Sequence, residues 1–148
     1  MRRLTLVAGA LVTMAVAATP AAATSGTLIK VAPKRIDLGT RAVTDPPTDY
    51  YDGVKVTNAS RSPLQVIVTA GLPDDFGFGL MPGSTCPVFT TDPPMDGGDS
   101  CRAVVRFTPT QFFAGSRQTG TLTVTATDPD SGQTVASVEV PVSGTGRL

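Results

Sequence analysis

The chain contains no histidine, no tryptophan, a single glutamate (Glu139) and only two cysteines in 148 residues. Each shortage excludes something. A hydrolytic triad needs a general base, and histidine is the usual one. A zinc site needs several thiolates or imidazoles, and here the thiols number two. A redox pair wants two cysteines separated by two residues, whereas Cys86 and Cys101 lie fifteen apart. Charged side chains make up 16% of the chain and never form a run of lysines and arginines, which argues against a nucleic-acid or anionic-membrane footprint. Helix formers are scarce after the first two dozen residues, and no helix-period stretch follows them. The expectation is therefore a non-enzyme without metal or cofactor.

What is present begins with an address. Arg2 and Arg3 form a positive start, and Leu4 to Ala18 is fifteen residues without a charge. Thr19-Pro20 breaks the run, and Ala21-Ala22-Ala23 supplies small residues for cleavage. This reads as a secretory signal peptide over residues 1–23, helical in its apolar part. As a helix the run would rise about 22 Å, short of a hydrocarbon core about 30 Å thick. The twin arginine lacks the fuller twin-arginine export pattern, so general secretion is expected. No cysteine follows the run to accept a lipid, and the tail from Gly144 to Leu148 is no wall-sorting signal. Removing Arg2 and Arg3 leaves ten basic and twelve acidic side chains, a near-neutral mature chain over residues 24–148. No second long apolar run exists, so a secreted, extracellular domain without a membrane span is expected.

From Thr27 the chain reads as short strands separated by turn residues. Thr27–Ala32 and Arg35–Leu38 are extended pieces parted by Pro33, which suits a sheet edge. Tyr50–Asn58 places Val54 and Val56 on one face. Leu64, Val66, Val68 and Ala70 alternate with Gln65, Ile67 and Thr69. Gly71 to Gly83 is irregular, with Phe76, Phe78 and Leu80 expected to plug the interior. Ser100–Phe107 points Cys101, Ala103, Val105 and Phe107 one way, and Thr121–Thr127 points Leu122, Val124 and Ala126 inward. Asp128 to Gly132 is a hairpin turn. Val138, Val140 and Val142 line the last strand, which Pro141 assigns to an edge. About seven short strands at this spacing predict an all-β, immunoglobulin-like β-sandwich, a single domain. About 125 residues bury roughly two-thirds of their surface, enough for one core.

Cys86 and Cys101 both lie in the exported part, where disulfides persist, so one bridge is expected. Closing a loop of about 15 residues stabilises by roughly 3 kcal/mol in the chain-entropy model.

The order of motifs resembles a known family. Ile36-Asp37-Leu38-Gly39-Thr40, Val54-Lys55-Val56-Thr57-Asn58 with Ser62-Pro63-Leu64-Gln65-Val66, Ser100 to Thr110, Gly115 to Thr125, and Val142 to Gly146 are similar to the successive motifs of ASH/Hydin-type immunoglobulin-like domains. In bacteria these domains, often labelled choice-of-anchor D, occur widely in secreted and surface proteins. The resemblance covers nearly all of the mature chain and includes the short cysteine bridge. Residues 87–99 depart from it, replacing a short turn with the longer PVFTTDPPMDGGD. The resemblance implies a non-enzymatic protein-interaction or structural module of the cell surface or extracellular space. Its partner would be a protein or another cell-surface ligand, and the chain a monomer or a weak edge-paired homodimer.

The segment from Pro87 to Ser100 is the most distinctive surface. Two readings of it stand. In one, Val88, Phe89, Pro93, Pro94 and Met95 form a pre-ordered recognition loop, with inhibition of a secreted enzyme as its alternative role. In the other, which composition favours, Phe89 caps the core and the rest is solvated. Asp74, Asp75, Asp92, Asp96 and Asp99 sit in Gly- and Pro-rich turns, where aspartate serves the backbone rather than sugar chemistry. Asp92, Asp96 and Asp99, or Asp128 and Asp130, offer too few oxygens for calcium. Asn58-Ala59-Ser60 matches a glycosylation acceptor and reads as a turn. Tyr50 and Tyr51 are expected to pack at a strand start.

Overall fold

The computed structural model describes residues 27–90 and 92–148. The signal peptide expected over residues 1–23 lies outside them. Eight strands build two four-stranded sheets. The first has the order β1 (Ile29–Ala32), β3 (Tyr50–Asn58), β6 (Ser100–Phe107), β5 (Phe76–Phe78). The second has the order β2 (Ile36–Ala42), β8 (Thr134–Arg147), β7 (Arg117–Thr127), β4 (Gln65–Gly71). All pairs are antiparallel except β2 with β8. A single 3-10 turn, Gln111–Phe113, is the only helical piece among the described residues.

The interior follows from period-two alternation on both sheets. Val54 and Val56 of β3 and Cys101, Ala103, Val105 and Phe107 of β6 face Val66 and Val68 of β4, Leu122, Val124 and Ala126 of β7, and Val140 and Val142 of β8. Phe107 is fully buried and stacks on Phe76, with ring centroids 4.7 Å apart. Opposite it stands Gly144, where a side chain would meet the ring: an added Cβ would lie 2.9 Å from Phe107 Cε1.

Three expectations need correction. Phe76–Phe78 pairs with β6 inside the segment read as irregular, which brings the expected seven or so strands to eight. Phe76 plugs the interior and Phe78 packs beside it, but Leu80 is exposed. The last strand is not simply an edge. Beyond Val142, β8 lies between β7 and β2, yet β2 begins to pair only at Val142. Pro141 sits just before that point, where no neighbour on the β2 side requires its missing N–H. Pro33 behaves as expected: β1 and β2 are edge strands of different sheets, and the chain changes sheet at Pro33–Arg35.

Phe107→Ala is expected to cost about 3–5 kcal/mol and Gly144→Ala about 1–3 kcal/mol, one by a cavity and the other by overpacking. Urea unfolding measures both. In a Phe107→Leu background the Gly144→Ala penalty should shrink, because the two sites share one volume.

Candidate functional site

Cys86 and Cys101 form the expected disulfide, with Cα atoms 4.7 Å apart. Thr85 and Cys86 lie against β6: both amides donate to Arg102 O, at 2.7 and 3.0 Å, and the Arg102 amide donates to Thr85 Oγ1 at 2.8 Å. From there the chain leaves the first sheet for the open edge of the second. Pro87 O accepts from the Val68 amide at 3.4 Å, and Leu64 and Met95 exchange two backbone bonds of 3.0 and 2.8 Å. The loop thus closes one flank of the sandwich and covers the β4 edge, the usual hazard of an unpaired strand.

The far end of the loop is fixed by Asn58, which is fully buried at the end of β3. Its Nδ2 donates to Ser62 O and to Met95 O, both at 2.9 Å. Its Oδ1 accepts from the Ser60 amide at 3.0 Å and the Ser60 hydroxyl at 2.6 Å. Its own amide donates to Asp99 O, and its carbonyl accepts from Gly98 N. The amide joins the turn after β3 to the loop before β6, and every polar atom it buries has a partner. This is the turn reading of Asn58-Ala59-Ser60 in physical form; the Asn58 amide is committed to the interior. Gly97 packs on the same turn so closely that an added Cβ would lie 2.7 Å from Ser60 O.

The loop residues divide in a way that reverses the sequence-based reading. Met95 is buried in the core. Phe89, expected as the cap, is 61% exposed. Pro93 and Pro94 are exposed and Val88 is half-buried. Composition could not separate the two apolar side chains; the backbone bonds of Leu64 to Met95 turn that residue inward. Exposed Leu80, at 87%, joins Phe89, Val88, Pro87, Pro93 and Cys86 around an open hollow of about 450 Å³. The result is an apolar patch beside the disulfide, and Leu80 is the member that sequence reasoning placed inside.

Asp92 and Asp128 serve turns, as expected, whereas Asp75 ties together two segments distant in sequence. Asp75 is buried and accepts from Thr110 N and Thr110 Oγ1 at 3.2 and 2.9 Å. Asp92 accepts from the Phe89 amide at 3.3 Å. Asp128 Oδ1 accepts from the Asp130 and Ser131 amides, both at 2.9 Å, and these amides hold its carboxyl below the ordinary aspartate range. The Thr108 hydroxyl does the same for Asp49, aided by Tyr51 and Arg106, and the Gly39 amide for Asp37, aided by Ser143 and Arg117. Partial desolvation and then Asp49 raise the Tyr51 hydroxyl. Tyr50 packs against the core, whereas Tyr51 is 45% exposed. Among the described residues no three His, Cys, Asp or Glu side chains gather around a point that would hold a metal ion, and no helix is long and apolar enough to cross a membrane.

Asn58→Ala should destabilise by about 2–3 kcal/mol, since it strips partners from buried groups. Hydrogen exchange should accelerate first at Gly98 and Leu64, next to the lost amide. Three carboxyls with depressed folded values bind fewer protons than their unfolded counterparts. Their contribution is complete above about pH 5 and is lost as pH falls below about 3.9 through those depressed values. The urea midpoint should therefore hold from neutral pH to about pH 5 and drop below about pH 4, less so in Asp128→Ala.

No protein-family model matches the chain, and no curated protein matches it. Solved structures do resemble it. The ASH/PapD-like domain 7 of human CEP192 superposes with a TM-score of 0.54 at 11% identity, covering 90% of this chain and 96% of that one. WR4, a C. elegans MSP family member, gives 0.52 at 15% identity, covering 80% and 98%. SSP-19, an MSP-domain-like protein of Caenorhabditis elegans, gives 0.50 at 17% identity, covering 78% and 97%. At these identities the likeness is one of fold: the described chain is an all-β sandwich of the immunoglobulin-like kind shared by MSP and PapD-like domains.

Proposed function

We propose that the protein is a secreted, non-enzymatic interaction module that contacts a partner protein through the apolar patch beside its disulfide. The observation that carries this reading is the exposure of Leu80 and Phe89 around one hollow that includes Cys86 of the Cys86–Cys101 bridge, where the Thr85 and Cys86 amides are bonded to β6. A large apolar side chain on a fixed support loses little entropy when it is covered, which is how interface anchors work. The disulfide and the leader-like first 23 residues support an extracellular setting. The fold shared with ASH- and MSP-type domains supports a binding role by analogy, as does the ASH/Hydin-like order of motifs. A second reading rests on the same rigidity: a loop pinned at Cys86 and at Met95–Asp99, with Phe89 projecting, has the pre-ordering that an inhibitor of a secreted enzyme needs.

Export is expected to yield a chain beginning at Thr24, which N-terminal sequencing of the secreted product checks. Capture from culture medium and cell-surface extract should recover a species with the native chain that Leu80→Ser/Phe89→Ser loses. Equal recovery by both chains defeats the patch. Inhibition of a secreted protease that disappears in Phe89→Ser would select the inhibitor reading instead.

A further inference from the structure

Among the described residues, every open sheet edge but one carries a device that blocks further pairing. β5 is three residues long and β1 four, the latter bearing Lys30 and ending at Pro33. β2 shifts register between Asp37 and Thr40 and carries Asp37 and Arg41. β4 is covered by backbone at Pro87 and Met95. Short strands, charges, prolines, bulges and covering loops are the usual protection of such edges. The first half of β8 differs. On one side β7 pairs with it from Thr134 to Thr145, whereas β2 joins the other side only at Val142. A register shift at Val135 guards the hairpin end. From Ala136 to Val140 the open side has no lysine, proline or bulge, and Glu139 is its only charge.

Two bonds at the far end of β8 fix which backbone groups face that open side. Arg147 O accepts from the Val43 amide on the β2 side, and Gly146 O accepts from the Gly115 amide on the opposite side. Between Ala136 and Thr145 the β7 ladder has no register shift. Alternation therefore turns the N–H and C=O of Ser137 and Glu139 to the open side, together with the nitrogen of Pro141. The inward side chains lack cover there too. Val124 and Ala126 of β7 are fully buried, but Val138 and Ala136, their partners on β8, are only half-buried. They border a groove of about 500 Å³ lined by Ile29, Val31 and Val138. One more strand with small apolar residues on its inner side would complete the flank.

We propose that Ala136–Val140 pairs antiparallel with the same stretch of a second copy of this chain, about a two-fold axis at Val138. This register uses all five open residues, about 17 Å of edge. It sets Ser137 opposite Glu139 of the second copy, exchanging both backbone bonds, and Ala136 opposite Val140. Val138 meets its own counterpart over the groove floor of Ile29 and Val31. An axis at Glu139 would put two carboxylates face to face, and an axis nearer the hairpin runs into the bulge at Val135. The stretch is thus complementary to itself in one register, and a two-fold contact closes without propagating. Five residues from each copy bury less than the roughly 1,200 Å² at which lasting interfaces begin, so the dimer exchanges with the single chain. It lies on the flank away from the Leu80/Phe89 patch and does not depend on it.

Sedimentation equilibrium of the purified protein is the test. The mean mass should rise from one chain toward two with concentration. Ser137→Pro removes only an N–H that has no partner among the described residues, so it should melt close to the native protein yet stay a single chain. Two charge variants give a readout that folding alone would not move. Ser137→Glu, set against Glu139 of the second copy, should weaken association several-fold, and Ser137→Lys should strengthen it several-fold, since two such pairs form per dimer. Leu80→Ser/Phe89→Ser should leave the dimer intact, so this proposal and the protein-contact patch fail separately. A single-chain mass throughout, which would leave the edge to a strand of another protein, overturns the proposal. So does a dimer undiminished in Ser137→Pro, equal association of the two charge variants, or a dimer lost in Leu80→Ser/Phe89→Ser.

Discussion

Two sheets can share a dry interior only if the inward side chains are apolar or fully hydrogen-bonded and the flanks between the sheets are shut. The inward row of β6 meets the first demand, with Phe107 stacked on Phe76 and seated against the bare backbone of Gly144. That contact ties the middle of one sheet to the strand β8 of the other. Because protein interiors are close-packed, the absence of a side chain at residue 144 is as much a part of the core as the ring it faces.

The second demand is met differently on the two flanks. On one, the chain leaves β6's neighbourhood at Cys86, runs along the β4 edge, and returns through Met95 and Asn58. The covalent bridge and the buried amide hold the two ends of one lid. On the other flank, the chain changes sheet at Pro33, and the first half of β8 lies beside β1 across an open groove lined by Ile29, Val31 and Val138. The lid brings Phe89 and the disulfide beside Leu80, so the same element that protects an edge also borders an exposed apolar patch.

The outer faces follow from what sheets do with the other half of their residues. On β7 the outward positions are threonines from Thr119 to Thr127, a nearly uncharged surface, while the first sheet gathers Lys30, Lys55 and Arg102. No third sheet packs on either face among the described residues, although Val104, outward on β6, is buried. The chemistry of each is therefore free of the folding requirement that fixes the inner rows, and a repulsive pair such as Lys55 and Arg102 is tolerable there at small cost.

Local patterning determined a good deal. The strands Tyr50–Asn58 and Ser100–Phe107 have the limits their alternation predicts, and the turn from Asp128 to Gly132 closes the hairpin it announces. The cysteine count and context were enough to expect the bridge. These are properties of short segments, where period, turn chemistry and pairing arithmetic act within a few residues. Everything that depended on which segments become neighbours was decided by the tertiary structure. Pro141 is compatible with a strand that is central for half its length because β2 starts one residue later. Met95 goes inward and Phe89 outward because Leu64 and Asn58, more than thirty residues away in sequence, claim the Met95 backbone. The cationic face exists only because β1, β3 and β6 align in one register. A single strand's pattern states which side of it is apolar, but long-range hydrogen bonding and sheet order choose what that side, and the other, will meet.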